Sequence, residues 1–257
     1  MIHETAIVHP AAVLAEDVQV GPFSIIGEHV RIGAGTTLGA HVVISGRTSI
    51  GCRNRIFHHV SLGEVPQDKK YDGEPTRLEI GDDNVIREFC TFNIGTAQDL
   101  GYTRLGDRNW IMAYVHLAHD CVVGNDTILA NCVQLAGHVE IHDFAILGGF
   151  TGVHQFCRVG AHAITGVGSV VLADVPPFVI AMGNTAVPHG VNSEGLKRRG
   201  FSREGIAEIR RAYKSLYRAG LKLEDARQVI AQQVQTCPEL SVLSGFLETT
   251  SQRSIIR

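Results

Sequence analysis

From Val8 an aliphatic residue returns at every sixth position: Leu14, Val20, Ile26, Ile32, Leu38, Ile44, Ile50, Ile56 and Leu62. Glycine follows it at 21, 27, 33, 39, 51 and 63. The meter reappears at Ile80, Ile86 and Phe92, changes phase, and then runs through Leu105, Ile111, Leu117, Val123, Leu129, Leu135, Ile141, Leu147, Val153 and Val159. Thr165 is a single polar lapse before Val171. A period of six matches neither the helical repeat nor the heptad, and a sandwich would turn only every eight to twelve residues. A short extended segment cannot bury its one inward aliphatic by itself. Stacked coils can, with the hydrogen bonds running from coil to coil. Three hexads close a triangular coil, so residues eighteen apart stand one above another. The pattern predicts a parallel β-helix, a triangular prism, over residues 1–187. The small residue after each aliphatic suits a tight corner, where a side chain would clash or φ is positive.

Two polar, glycine-containing excursions interrupt the meter, at 63–79 and about 94–104, and the second shifts its phase. Loops leaving one face of a solenoid commonly build its binding surface. The meter ends near Asp174-Val175-Pro176-Pro177, and beyond Pro188 the chain turns to helix formers. Ser202 can cap a helix over about 203–219, with Glu204 in its first turn and Gly220 past its end. A second helix is expected over about 223–235 and a third after Pro238. Residues 188–257 are therefore expected to form a small α-helical cap.

A net charge of −3 offers no basic field for nucleic acid. No stretch reaches the eighteen or more apolar residues of a membrane span, and the first residues lack a signal peptide's plan. A cytoplasmic location is expected. The six cysteines are dispersed, with no C-x-x-C pair, and read as free, mostly buried thiols.

Of the 13 histidines, six fall in one window: His116, His119, His138, His142, His154 and His162. Stacking by eighteen sorts them. His119, Gly137 and Gln155 align, Asp120 lies under His138, and Ala136 lies under His154. One edge of the prism thus gathers titratable groups, a glycine amide and a carboxamide, as a catalytic cleft requires. His119 has an acid beside it and suits a general base. Gly137, without a side chain, lets its N–H approach an oxyanion. His138 and His154 suit substrate positioning, while His142 and His162 read as solvent-facing repeat residues. No G-x-S-x-G element suggests a serine nucleophile, so direct attack by a bound hydroxyl fits better than an acyl-enzyme. His116-x-x-His119 with a histidine of another chain could ligate zinc, but nothing in the pattern imposes ligand geometry, and no metal is expected. Lys197-Arg198-Arg199, after Asn192-Ser193-Glu194-Gly195-Leu196, reads equally as a solvated helix end or a diphosphate site.

Three stretches, His116-Leu117-Ala118-His119-Asp120-Cys121, Leu135-Ala136-Gly137-His138-Val139 and Val153-His154-Gln155-Phe156-Cys157, closely resemble the UDP-N-acetylglucosamine 3-O-acyltransferases of lipid A biosynthesis. So do Gly190 to Phe201, Gln67-Asp68-Lys69-Lys70-Tyr71 and Gly73-Glu74-Pro75-Thr76-Arg77, and the likeness spans nearly the whole chain. It implies a left-handed parallel β-helix, assembled as a homotrimer with active sites between subunits. It implies transfer of an (R)-3-hydroxyacyl group from acyl carrier protein to the 3-hydroxyl of UDP-N-acetylglucosamine, with no cofactor beyond the carrier thioester. By that resemblance His119 is the base and Gly137 the oxyanion donor; Asp120 is the acid beside that base in sequence. Asp68 and Lys70, beside Gln67, contact the sugar. His116, His138, His154, Gln155, Asn192, Glu194, Arg198 and Arg199 bind or position the nucleotide sugar or the acyl donor. Two departures stand out. Where the family usually reads His-Arg-Gly-Thr, this chain has Asn93-Ile94-Gly95-Thr96, and Val167 occupies the acyl-length ruler position, where a side chain bulkier than glycine shortens the groove. An amine acceptor on a 3-amino sugar nucleotide, a non-catalytic repeat scaffold and a zinc hydratase stay open.

Overall fold

The computed structural model describes residues 1–249 and 252–257. Its strands are mostly two residues long, because each prism face accepts one inward aliphatic and one outward neighbour before the chain turns; Ile25–Ile26, exposed then buried, is typical. Every third strand pairs in parallel. The first sheet has nine strands, from Ile7–Val8 to Val170–Val171, and the second has eight, from Val13–Leu14 to Arg158–Val159. The third has ten, from Gln19–Val20 to Val187–Val191. The fold is a left-handed parallel β-helix followed by a small helical part. Its last strand pairs antiparallel with Val179–Met182 and carries the sheet across the expected boundary at 187.

The eighteen-residue rung is present where it was read: His116 pairs with Gln134, and Gln134 with Gly152. Ile50 pairs with Ile80 and Ile80 with Leu105, so both excursions are absorbed within a coil and the register resumes beyond them. The polar lapse is also explained. Thr165 is buried, and its hydroxyl accepts from Gly148 N–H at 3.0 Å and pairs with the Thr151 hydroxyl at 2.8 Å. The two threonine hydroxyls satisfy each other where an aliphatic would otherwise stand.

The corners require one correction. At five of the six corner glycines crowding is the whole answer, and only Gly63 also has a positive φ (79°): a Cβ on Gly21 would lie 2.5 Å from the Gly39 carbonyl oxygen. Positive φ falls two residues later, on side chains as large as Phe23 (58°), His59 (60°) and Tyr114 (65°). That conformation costs an L-residue roughly 1–2 kcal/mol. Stacking offsets it: Phe23, His41, His59, Phe89 and Tyr114 form a ladder with ring centroids 4.9–5.1 Å apart, each pair contributing about 0.5–1.5 kcal/mol. On the corner between the first and second sheets the same backbone holds Asp120 (φ 60°), His138 (63°) and Phe156 (65°).

Among the described residues four helices follow: α1 (Ser193–Arg198), α2 (Arg203–Tyr217), α3 (Leu223–Gln233) and α4 (Ser241–Glu248), the last entered through a tight turn at Pro238–Leu240. The Ser202 hydroxyl caps α2 by accepting from Gly205 N–H at 2.9 Å, as its sequence position implies. Six residues are too few to show a helical period, so α1 was not anticipated. Its cap is Asn192, whose Oδ1 accepts from Gly195 N–H at 3.0 Å. Leu196, Ile209, Ile230, Leu243 and Phe246 form the cap's own core. Residues 254–256 return to the prism, with Ile256 N–H donating to the Asp174 carbonyl at 2.9 Å. No helix among the described residues is long and apolar enough to cross a membrane. All six cysteines are free, and burial pushes the thiols of Cys90, Cys121 and Cys157 up to about 12.

Candidate active site

His119 and Asp120 leave the first sheet together at its corner with the second. The positive φ of Asp120 turns its carboxylate inward and back toward its neighbour, and Oδ2 lies 2.9 Å from His119 Nδ1. Asp120 is only 1% exposed. Burial works to raise its pKa, but hydrogen bonds from His119, the Thr96 hydroxyl and the Thr96 N–H outweigh it and hold the carboxyl below its ordinary value. The Thr96 hydroxyl donates to Oδ2 at 2.7 Å, and its N–H donates at 3.0 and 3.1 Å to the two oxygens. An ionised Asp120 accepts only, so His119 carries its proton on Nδ1 and keeps the Nε2 lone pair free.

One coil above, His138 N–H donates to the His119 carbonyl at 3.1 Å, which brings Gly137 over the imidazole. A Cβ built on Gly137 would lie 2.7 Å from His119 Nε2. Among the described residues the Gly137 N–H has no hydrogen-bond partner. The amides of His119 and Gln155 in the same corner position are equally unpaired among the described residues; that of Gly137 has the His119 imidazole close by. Base and amide therefore meet on a shared ledge.

These groups open onto a cleft of about 830 Å³ lined by Gln67, Asp68, Lys70, His119, His138 and Gln155. The first excursion thus reaches the cleft, steadied by Asp68, whose Oδ1 accepts from Lys70 N–H at 3.0 Å. The His138 ring stacks on Phe156, with centroids 4.4 Å apart, and stands edge-on to His119 at 4.9 Å. Its Nδ1 meets Asp99 Oδ2 at 2.5 Å. His119, Asp120 and His138 also offer donor atoms within 4.8 Å of one another, so a divalent ion could be held there; His116 is outside that group.

Other predicted residues lie elsewhere. His116 and His154 flank a shallow groove of about 350 Å³ on the outer face of the first sheet, floored by Ala118, Ala136 and Gly152. Burial lowers the His116 pKa, and its Nδ1 pairs with the Thr91 hydroxyl at 2.8 Å. Val167 is 80% exposed on the corner between the third and first sheets. Asn192, Glu194, Arg198 and Arg199 gather at α1, beside the corner between the second and third sheets. Asn192 is buried and commits its amide to the fold, since its Nδ2 donates to the His162 carbonyl at 2.9 Å. Arg199 lies over the Phe144 ring at 5.0 Å with a buried, unpartnered guanidinium nitrogen. His162 departs from the expectation of a solvent-facing residue. It is 9% exposed and stacked between Phe144 and Phe178, and burial, then the Arg199 charge, lower its pKa to about 4. His142 is half-buried, 3.4 Å from Glu140.

Stacking arithmetic could not find Thr96 and Asp99, because both sit in the phase-shifting excursion. Nor could it find Arg253, whose guanidinium reaches His154 Nδ1 at 3.0 Å from the far end of the chain. Asn93 and Ile94 prove to be buried in the prism wall, where the Asn93 Nδ2 donates to the Val65 carbonyl at 3.1 Å.

Two sequence profiles match the chain. One is described as bacterial transferase hexapeptide (six repeats), at residues 2–46 and 102–137; the other as UDP-N-acetylglucosamine O-acyltransferase, domain 2, at residues 174–256. A Thiobacillus denitrificans protein named acyl-[acyl-carrier-protein]–UDP-N-acetylglucosamine O-acyltransferase is 66% identical over 256 residues, covering 100% of this chain and 99% of its own. One of the same name from a Janthinobacterium species is 60% identical over 261 residues, with 100% and 99% covered. Among solved structures, LpxA from Acinetobacter baumannii superposes with a TM-score of 0.97 at 48% identity, covering 100% of this chain and 99% of that one. The UDP-N-acetylglucosamine acyltransferase of Francisella novicida does so with a TM-score of 0.98 at 44% identity, covering 100% and 94%.

Proposed function

The chain belongs to the UDP-N-acetylglucosamine O-acyltransferase family, and on that premise we propose how its cleft moves an acyl group from acyl carrier protein to UDP-N-acetylglucosamine. The acyl group is an (R)-3-hydroxyacyl chain and the acceptor is the sugar's 3-hydroxyl, the opening step of lipid A synthesis in the cytoplasm. His119 Nε2 takes the hydroxyl proton as the sugar oxygen attacks the thioester carbonyl. The oxyanion that forms is received by the Gly137 N–H. On collapse the carrier thiolate leaves and regains the proton from the His119 imidazolium, while Asp120 stays ionised and steadies that cation. No acyl-enzyme is needed, and the thiol beside the dyad, Cys121, is buried and pushed up to about 12. No cofactor takes part beyond the carrier thioester.

Gln67, Asp68, Lys70, His138 and Gln155 hold the sugar in the cleft. The groove between His116 and His154 takes the acyl chain, and Val167 limits its length. The placement of Arg199 supports a homotrimer. Its guanidinium, with one buried nitrogen lacking a hydrogen bond, suits a diphosphate, yet α1 sits on a different corner from His119 and does not line the cleft. Packing three chains around an axis would bring α1 of one chain to the cleft of its neighbour. Asn93 and Ile94 are buried and neither lines the cleft.

The observation that carries this reading is the His119 imidazole, held by the buried Asp120 carboxylate and set against an unpaired amide. Incubation with UDP-N-acetylglucosamine and a panel of acyl carrier protein thioesters, read by product mass, should give an O-acylated sugar nucleotide. His119→Ala should lower kcat by at least about 10²-fold. Near-normal turnover by that variant would remove the base assignment.

A further inference from the structure

The second histidine of the cleft has a carboxylate of its own. His138 Nδ1 is bonded to Asp99 Oδ2 at 2.5 Å, while Asp120 Oδ2 lies farther off at 3.9 Å. The ring cannot swing freely, because its face rests on Phe156 with an interplanar angle of 8° and its side meets His119 at 86°. An acceptor-only group on Nδ1 sets that nitrogen as the protonated one and leaves Nε2 to meet whatever enters the cleft. Asp99 belongs to the excursion at 94–104, which is also tied to the coil by Thr96 on Asp120. The loop therefore supports both histidines, each through a different residue. The two acids differ in setting: the Asp120 side chain is wholly buried, whereas that of Asp99 is 40% exposed at the cleft mouth.

We propose that Asp99 is a positioning residue for the acceptor sugar, holding His138 by Nδ1 so that its Nε2 makes a fixed hydrogen bond to the bound nucleotide sugar. This rests on the reading that His138 faces that sugar. It assigns the two dyads different work: His119–Asp120 removes the proton, and His138–Asp99 orients the molecule that loses it. Asp99 makes no contact with the reacting atoms, so its loss acts on acceptor binding more than on chemistry.

A double-mutant cycle tests it, with KM for UDP-N-acetylglucosamine and kcat measured separately in wild type, Asp99→Ala, His138→Ala and the double variant. Asp99→Ala should raise KM about 10-fold with a smaller change in kcat. In the His138→Ala background the same substitution should change KM by less than about two-fold. Asp99→Asn, which keeps an acceptor oxygen, should recover part of the loss. Independent, multiplying effects on KM would mean that Asp99 only shapes the loop, and an effect confined to kcat would mean that it serves the base; either overturns the proposal. A wild-type protein that turned over no UDP-N-acetylglucosamine would instead overturn the functional reading, and this inference with it.

Discussion

Replacing Gly137 by alanine sets a methyl group where the His119 imidazole stands. The added carbon would lie 2.6 Å from Cε1, 2.7 Å from Nε2 and 3.2 Å from Nδ1 of that ring. Carbon contacts settle near about 3.5–4.0 Å, so the ring must retreat by roughly 1 Å. It is held at the other side by the 2.9 Å bond to Asp120, itself fixed by Thr96, so retreat means tilting out of line with the substrate oxygen. A displacement of that size is expected to lower kcat about 10²-fold. The backbone gives no cause for unfolding, since Gly137 is not among the positive-φ positions. The melting temperature should stay within about 4 °C of wild type, the shift expected for roughly 1 kcal/mol in a domain of this size. Steady-state kinetics at saturating donor and acceptor, run beside a thermal melt, separate the two effects. A Gly137→Ala protein with near-wild-type kcat would show that the ledge is not where the chemistry happens.

Four further outcomes follow from the same geometry. If the cleft is completed by α1 of a neighbour, trimers assembled from His119→Ala and Arg199→Ala chains should recover roughly a quarter of wild-type activity, and no recovery would place both groups in one chain's site. Val167→Gly should shift preference toward longer acyl chains in a competition assay, and an unchanged preference would end its role in length selection. His162, its pKa lowered to about 4 by burial, is neutral in folded and unfolded chains above about pH 6.5; as pH falls from there toward 4 only the unfolded chain gains the proton, and stability should fall by on the order of 3 kcal/mol. Melting temperature should accordingly drop less steeply over that window in His162→Asn, and parallel slopes would refute the assignment. Exhaustive chelation should leave kcat unchanged, whereas loss restored by zinc would recast His119, Asp120 and His138 as ligands.

The period of six carried the architecture by itself. One aliphatic per short segment has no other way to be buried, so coil size, rung spacing and the alignment of His119 with Gly137 followed by counting. The cap over α2 was legible for a similar reason, because Ser202 and the apolar stripe behind it are local signals. Tertiary structure decided what counting does not reach. Whether Asp120 turned to His119 depended on a positive φ at the corner and on Thr96, which arrives from a loop outside the repeat. The repeat does not reveal the burial of His162, because Phe144 covers one face of its ring from the coil below while Phe178 and Phe201 close over the rest. Asp99, Arg253 and Arg199 owe their places to chain segments whose meeting no periodicity encodes. Repeats transmit position along the chain through stacking, but the groups that tune a site come from wherever the chain departs from the repeat.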